Sequence, residues 1–330
     1  MNILVTGGLG FIGSITCIQL FKANHNFIIV DNLANSNTGI LEKIKNITNK
    51  NFKYYNLDLK NENDVEKIFL ENKIDGIIHF AALKAVGESV KEPIKYYENN
   101  IISTLNLAKL CIKYNVNRFI YSSSATVYGE QKPPLFEYMP LQDATNSYGQ
   151  TKIICEKILT DIANANKNFK VTFLRYANPI GADETHTLGE NPNGIPQNIS
   201  PYIVKVILKK LPVLNVFGND YDTVDGSGVR DYIHVLDLAN AHILALEKMI
   251  NQINIYNVGT GNPTSVFELI KTFEKVSDSS VEYKIVERRE GDVAISYLNS
   301  DKIYNELGFK PKYNIEDMCR DLFLFAKNNY

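Results

Sequence analysis

Seven residues near the N-terminus constrain this chain more than any others. Gly7-Gly8-Leu9-Gly10-Phe11-Ile12-Gly13 directly follows the apolar run Ile3-Leu4-Val5 and opens a segment with helical spacing. A strand that turns at once into a helix over three glycines lets the backbone approach a pyrophosphate, which then sits on the positive helix end. The other reading is a glycine turn of purely structural use; the position between strand and helix favours the first. A second apolar run, Phe27-Ile28-Ile29-Val30, ends at Asp31, whose carboxylate can accept both hydroxyls of an adenosine ribose. A 2′-phosphate would meet like charge there, and no Lys or Arg occurs between Lys22 and Lys43. The expected cofactor is NAD, not NADP.

Further runs repeat the pattern. Ile77-Ile78-His79-Phe80, Arg118-Phe119-Ile120-Tyr121 and Val171-Thr172-Phe173-Leu174 read as buried parallel strands, without strict alternation because helices cover both faces. Between them, segments near 12–23, 63–71, 94–114 and 149–165 carry helical spacing. The expected fold is α/β, a Rossmann-like doubly wound parallel sheet with right-handed crossovers. From about Pro179 the texture changes, and residues 181–200 are rich in Gly, Asn, Pro and Thr, as in loops near a ligand. Helices are expected near 201–210, 235–249 and 265–275, with strands near 214–217, 254–258 and 281–286. No flexible linker separates the halves. The expectation is a dinucleotide domain over 1–178 and a smaller, discontinuous α/β substrate domain over 179–330, with a stretch near 230–260 returning to the first.

Composition excludes other classes. With 35 basic and 37 acidic residues the formal charge is −2, which argues against a nucleic-acid binder, and no apolar run is long enough to span a membrane. Cys17, Cys111, Cys155 and Cys319 lie far apart, with no spacing for a disulfide framework or a metal site. A strand so close to Met1 leaves no room for a signal peptide, and a reducing cytoplasm is expected. Asparagine supplies 38 of the 330 residues, so it is a poor turn marker here.

Tyr148-Gly149-Gln150-Thr151-Lys152 places a phenol and an amine one helical turn apart on one face. Tyr128 and Lys132 share that spacing, but Gly129 and Pro133-Pro134 oppose a helix there, whereas Ile154, Ile158 and Ile162 continue one after Tyr148. A phenol with pKa near 10 is a poor base at pH 7. The Lys152 ammonium and an oxidised nicotinamide would both favour the phenolate, and a pKa near 7 needs about 4 kcal/mol of such stabilisation. Ser124, in Ser122-Ser123-Ser124-Ala125-Thr126, supplies a third hydrogen-bonding group. The plain alternative is a solvated lysine beside an ordinary serine-rich loop; the glycine turn favours the catalytic reading.

With these motifs the chain resembles the extended short-chain dehydrogenase/reductases, and within them the nucleotide-sugar 4-epimerases, essentially end to end. The likeness includes Thr6 to Gly13, Asp31-Asn32-Leu33 with Asn35-Ser36, Ala81 to Ser89, Ser122 to Gly129 and Tyr148 to Lys152. In the second half it includes Phe217-Gly218-Asn219-Asp220-Tyr221, Gly228 to His234 and Arg288-Arg289-Glu290-Gly291-Asp292. The resemblance implies tightly bound, unconsumed NAD and reversible interconversion of UDP-glucose and UDP-galactose. Tyr148 would take the proton of the sugar 4-hydroxyl as hydride leaves C4; the 4-keto sugar then turns and receives it on the other face. Lys152 would hold the nicotinamide ribose and lower the Tyr148 pKa, and Ser124 would bond to the sugar oxygen.

By the same carry-over Phe11, Ile12, Asp31, Asn32, Asn35 and Ser36 line the cofactor site with the glycines. Asp58, Leu59, Phe80, Ala81, Lys84, Asn99, Ser122 and Tyr176 complete it. Asn178, Asn198, Phe217, Arg230, Arg289, Asp292 and Ser296 would hold the UDP-sugar, with Lys84, Ser124 and Tyr148 reaching the sugar. Binding energy placed on the nucleotide leaves a sugar free to turn, and two arginines suit a pyrophosphate through forked, charge-assisted hydrogen bonds. For either arginine alone, a surface ion pair is the competing reading. Asp292 and Asn198 equally suit turns or caps.

Two positions depart from the family pattern, Ala177 where an aromatic is usual and Ser147 where a proline is common. Ser296 stands four residues beyond Asp292, where a small residue resembles enzymes that also admit N-acetylated sugars. UDP-N-acetylglucosamine and UDP-N-acetylgalactosamine are therefore expected substrates, unless a one-residue slip turns Tyr297 inward. A 4,6-dehydratase shares the fold and the Tyr/Lys pair, but its acid-base pair would stand where this chain has Ala125-Thr126. A non-enzymatic NAD-sensing or RNA-binding relative need not retain Tyr148, Lys152 and the arginines together. Relatives pair as homodimers through two helices per subunit, here those near 94–114 and 149–165.

Overall fold

The computed structural model describes residues 1–330 apart from Asn193, Ile195 and Glu290; Glu290 of the Arg288–Asp292 motif thus lies outside the described residues. The strands in chain order are β1 (Asn2–Thr6), β2 (Asn26–Val30), β3 (Lys53–Tyr55), β4 (Gly76–His79), β5 (Arg118–Ser122), β6 (Lys170–Tyr176) and β7 (Asn178–Ile180). They continue with β8 (Leu214–Phe217), β9 (Val229–Arg230), β10 (Tyr232–His234), β11 (Ile253–Val258), β12 (Thr264–Ser265), β13 (Tyr283–Val286) and β14 (Ile295–Ser296). The helices are α1 (Phe11–Lys22), α2 (Gly39–Thr48), α3 (Glu62–Glu71), α4 (Val86–Lys91), α5 (Pro93–Lys113) and α6 (Ser147–Ala165). After them come α7 (Ile199–Ile207), α8 (Val235–Glu247), α9 (Val266–Ser277), α10 (Asp301–Leu307) and α11 (Ile315–Asn329).

Two compact units divide the chain. The first holds Met1–Gly129, Pro140–Arg175 and Ala239–Tyr256. Its seven-stranded sheet runs β11-β6-β5-β4-β1-β2-β3, with β1 parallel to both β2 and β4. Side chains alternate across the sheet: Leu4, Ile77, Phe119 and Phe173 enter one core with Leu107 and Leu159 from α5 and α6. Their neighbours Ile3, Val5, Ile78 and Ile120, on the other face, are equally buried. Burial on both faces explains why each strand is a continuous apolar run. Strand order reverses between β1 and β4, and the glycine turn leaves β1 at that point, where doubly wound sheets bind ligands.

The second unit holds Glu130–Met139, Tyr176–Leu238 and Asn257–Tyr330. It is built from small sheets, β7 with β10, β8 with β13, and β12-β9-β14. Helices α7, α9 and α11 share a core that includes Ile203, Phe273 and Leu322. Asp231, 3% exposed, organises it by accepting hydrogen bonds from the Thr260, Gly261 and Leu298 N–H groups and the Thr260 hydroxyl.

These bounds differ from the expected 1–178 and 179–330. The first unit ends this part of the chain at Arg175, and only Ala239–Tyr256 returns to it, so Arg230 stays in the second unit. Glu130–Met139 also belongs to the second unit, fixed there by the Leu135–Leu298 bridge. The buried seam of α6 is Lys152, Cys155, Glu156, Leu159 and Ala163, while Ile154, Ile158 and Ile162 are only half-buried.

Candidate active site

The glycine turn is built by close backbone approach. Gly7 has φ +64°, and a Cβ on it would stand 2.9 Å from the Ala81 nitrogen. A Cβ on Gly13 would meet the Gly7 carbonyl oxygen at 2.3 Å, so α1 packs onto the turn only as glycine. Gly10 caps α1 without a side-chain bond, and no acidic residue occupies the first turn, which leaves the leading N–H groups for an anion. Behind the turn, Thr6 Oγ1 lies 2.7 Å from His79 Nδ1, and Thr104 Oγ1 lies 3.1 Å from Nε2. The Thr104 hydroxyl already donates to the Asn100 carbonyl, which assigns the ring proton to Nε2. Burial pushes the His79 pKa down to about 3, with the Lys152 charge adding to it, so the ring is a neutral spacer.

Asp31, at the end of β2, accepts from the Leu9 and Leu33 N–H groups and from the Ser36 hydroxyl. Of about four lone-pair directions on a carboxylate, these take three and fix its orientation. Asn32 and Asn35 lie exposed on the following loop, and Asn32 caps Ala34. Beyond β3, Asp58 is exposed while Leu59 is buried and its carbonyl accepts from Asn106. The Phe80 ring stands 4.6 Å from that of His242. Lys84 is exposed, and Asn99 donates to the Asn100 side chain. A cradle that a Cβ would fill, with a fixed carboxylate at the next strand end, fits a dinucleotide.

Tyr148, Lys152 and Ser124, the expected reacting groups, stand on α6 and in the turn after β5. Asn146 caps α6 by accepting from the Gly149 N–H at 2.9 Å. Ser147 takes the first helical position, whose N–H needs no helical partner, so the usual proline is dispensable. Lys152, 3% exposed, donates to the Ser122 carbonyl at 2.7 Å and lies 4.8 Å from the Tyr121 ring centroid and 5.9 Å from that of Tyr148. Burial lowers its pKa from 10.5 to about 8, against the opposing influence of Cys155 and Glu156. Ser124 caps a 3₁₀ turn over Ala125–Tyr128, and Ser122 Oγ lies 3.2 Å from His242 Nε2. Ala125 and Thr126 stand where a dehydratase would need acids.

In the second unit, Arg289 forks onto Asp292 at 2.9 and 3.3 Å while its guanidinium lies 4.7 Å over the Phe217 ring. Arg230 stands 3.9 Å from the same carboxylate. Asp292 thus fixes Arg289 and faces Arg230, which donates to the Val229 carbonyl, and the trio keeps a net positive charge that suits a pyrophosphate. Ser296 pairs in register with Arg230 across β14 and β9, which puts both on one face. Asn178 opens β7, Asn198 heads α7 and donates to Glu190, and Tyr176 closes β6. Ala177 is buried, its N–H donating to Val258.

The pattern of the NAD dependent epimerase/dehydratase family matches residues 3–259. A UDP-glucose 4-epimerase of Bacillus subtilis (strain 168) is 48% identical, spanning 100% of this chain and 98% of that protein. The chain belongs to the NAD dependent epimerase/dehydratase family. A UDP-glucose 4-epimerase from Bifidobacterium longum, solved in complex with NAD+ and UDP, superposes with TM-score 0.97 at 45% identity, covering 100% of this chain and 99% of that one. The UDP-Glc/GlcNAc 4-epimerase of Campylobacter jejuni gives TM-score 0.86 at 37% identity, covering 99% of each chain.

Within this epimerase/dehydratase frame, three polar residues of the first unit escaped sequence reasoning. Buried Asn100 holds the Leu83 N–H and carbonyl and donates to Thr151 beside Lys152. Glu156 and Arg175 form a buried ion pair, with Nη2 2.6 Å from Oε2. A charged residue on the helical face of Lys152, one turn on, was the available signal.

The Lys152 burial has a measurable sign. Above pH about 8 the folded amine is neutral, while in the unfolded chain it keeps its proton to about 10.5, so this group adds stability as pH rises between the two. Urea midpoints of the wild type should therefore gain on those of Lys152→Met from pH 8 to 10; parallel curves would contradict the burial.

Proposed function

We propose that this chain interconverts UDP-glucose and UDP-galactose by epimerisation at C4, with NAD bound throughout. The observation that carries this is the buried Lys152 ammonium on the Ser122 carbonyl, one turn from Tyr148, in the unit that also holds the glycine turn. The likeness of the whole chain to UDP-glucose 4-epimerases supports it.

Gly7, Gly10 and Gly13 with Phe11 and Ile12 would hold the NAD pyrophosphate, and Asp31 the adenosine ribose. Asn32, Asn35, Ser36, Asp58, Leu59, Phe80, Ala81, Asn99 and Tyr176 complete that site. When bound, NAD supplies the hydride acceptor for C4 and the donor for its return. Tyr148 takes the proton of the 4-hydroxyl and gives it back, and the Lys152 charge favours the phenolate that this needs. Ser124 bonds to the sugar oxygen, with Lys84 also toward the sugar. Arg230 and Arg289 hold the pyrophosphate of UDP, Phe217, Asn178 and Asn198 the rest of the nucleotide, and Asp292 sets the arginines. Energy spent on the nucleotide leaves the hexose free to present either face.

Purified protein should convert UDP-galactose to UDP-glucose without added NAD. Tyr148→Phe should retain its NAD but lose turnover by about 100-fold or more; a fully active Tyr148→Phe would refute Tyr148 as the base.

Ser296 supports a wider substrate range, since a small side chain on the Arg230 face leaves room for an acetamido group. Both N-acetylated UDP-hexosamines should be interconverted, and Ser296→Tyr should abolish that activity while sparing UDP-galactose. No wild-type turnover of the N-acetylated pair would end the idea.

Association as a homodimer through α5 and α6 is supported by exposed Ile94 and Ile102 and by the half-buried Ile154, Ile158 and Ile162. Light scattering should give twice the chain mass, reduced to one by Ile158→Arg; a monomeric wild type would contradict it. Among the described residues no helix is long and apolar enough to cross a membrane. Four buried free cysteines favour a reducing cytoplasm, which cell fractionation would test.

A further inference from the structure

The turn that carries Ser124 is gripped at three points by two elements of the first unit. Ser122 receives the Lys152 ammonium through its carbonyl. Ser123 donates its hydroxyl to Glu156 Oε1 at 2.5 Å. Tyr128, which closes the turn, accepts from Arg175 Nη1 at 3.1 Å and lies under that guanidinium, 5.0 Å from its ring centroid. Arg175 in turn forks onto Glu156, Nε to Oε1 at 3.0 Å and Nη2 to Oε2 at 2.6 Å. Both members are 3% exposed or less. Tyr148, Lys152 and Glu156 follow one another at four-residue intervals along α6.

We infer that Glu156 and Arg175 form a buried positioning pair for the reaction, fixing the Ser124 turn to the helix that carries Tyr148 and Lys152. A bare ion pair would be a weak stabiliser, because desolvating two charges consumes most of their attraction. This pair does something a hydrophobic filling could not: each member hydrogen-bonds a different end of the same turn. It also sets charge near the amine. His79 from β4, Tyr121 from β5, and Tyr148, Cys155 and Glu156 from α6 face Lys152. Burial keeps His79 neutral and pushes the Tyr121 hydroxyl and the Cys155 thiol upward, so Glu156 is the carboxylate opposing the loss of the Lys152 charge.

This inference rests on the catalytic reading of Tyr148, Lys152 and Ser124. Three variants of the full chain with its own NAD test it: Ser123→Ala, Glu156→Gln, and Glu156→Gln combined with Arg175→Met. The measurements are bound NAD, kcat and KM for UDP-galactose, and the pH dependence of kcat/KM. Ser123→Ala should lower kcat about tenfold, and the double variant about 100-fold, as expected for displacement of a reacting group by about 1 Å, with KM and NAD content near those of the wild type. Glu156→Gln should also move the alkaline limb of the profile to lower pH, because the amine loses its proton sooner, whereas the double variant, which removes both charges of the pair, should move it less. Glu156→Gln alone can fail to fold, since it leaves a buried guanidinium unpaired; the double variant then decides, and if that fails too, the kcat and KM of Ser123→Ala decide alone. A folded variant with wild-type kcat and pH profile would overturn the inference and leave the pair a structural bolt. Tyr148→Phe in parallel separates the cases: if it stays active, the reading of Tyr148 fails, whatever Glu156 does.

Discussion

A single ammonium buried beside a phenol is the constraint around which the first unit is arranged. Removing a charge from water costs several kcal/mol in a protein interior, and the cost is met only by partners of good geometry. Lys152 has the Ser122 carbonyl at 2.7 Å and the Tyr121 ring face at 4.8 Å. These do not restore the value of a solvated lysine, but they hold the pKa at about 8. At pH 7 the charged form then still outnumbers the neutral one about tenfold. A charge kept in a dry place acts on Tyr148 far more strongly than it would in water.

The fold delivers this arrangement through a parallel sheet buried on both faces. Carboxyl ends of neighbouring strands carry the working segments: the glycine turn after β1, Asp31 after β2, Ala81 after β4 and the serine turn after β5. The close approach of Gly7 to Ala81 ties the first and third of these together. Neutral His79 and buried Asn100 join the same ends to α5 and α6 without adding charge that would compete with Lys152. The second unit carries a positive cluster, Arg289 forked onto Asp292 with Arg230 nearby, which the proposed reading assigns to the charged nucleotide.

Much of this was legible in the sequence, and the rest was hidden for physical reasons. Strands β1, β2, β4, β5 and β6 are visible because burial on two faces demands unbroken apolar runs. Strands of two or three residues, such as β9, β12 and β14, leave no periodicity to read, and their pairing depends on partners far along the chain. The same holds for Glu130–Met139, whose place follows from Leu135 meeting Leu298. Helix α11 carries an Asn314/Asp317 capping box, a readable signal lost among so many asparagines. On α6 the isoleucine stripe marks a helix but not its core face, because the buried seam includes Lys152 and Glu156, polar residues that burial normally excludes. Tyr148, Lys152 and the glycines could be singled out because local spacing defines them; the Glu156–Arg175 pair could not, because it exists only once α6 meets β6.

In the proposed reaction Tyr148 is the base, and the charge on Lys152 is what favours its phenolate. Ultraviolet difference titration of the wild type against Tyr148→Phe reads that ionisation directly. Stabilisation by Lys152 predicts a phenolate midpoint well below the ordinary phenol value, displaced upward in Lys152→Met. A midpoint near the ordinary phenol value of about 10, indifferent to Lys152, would contradict it.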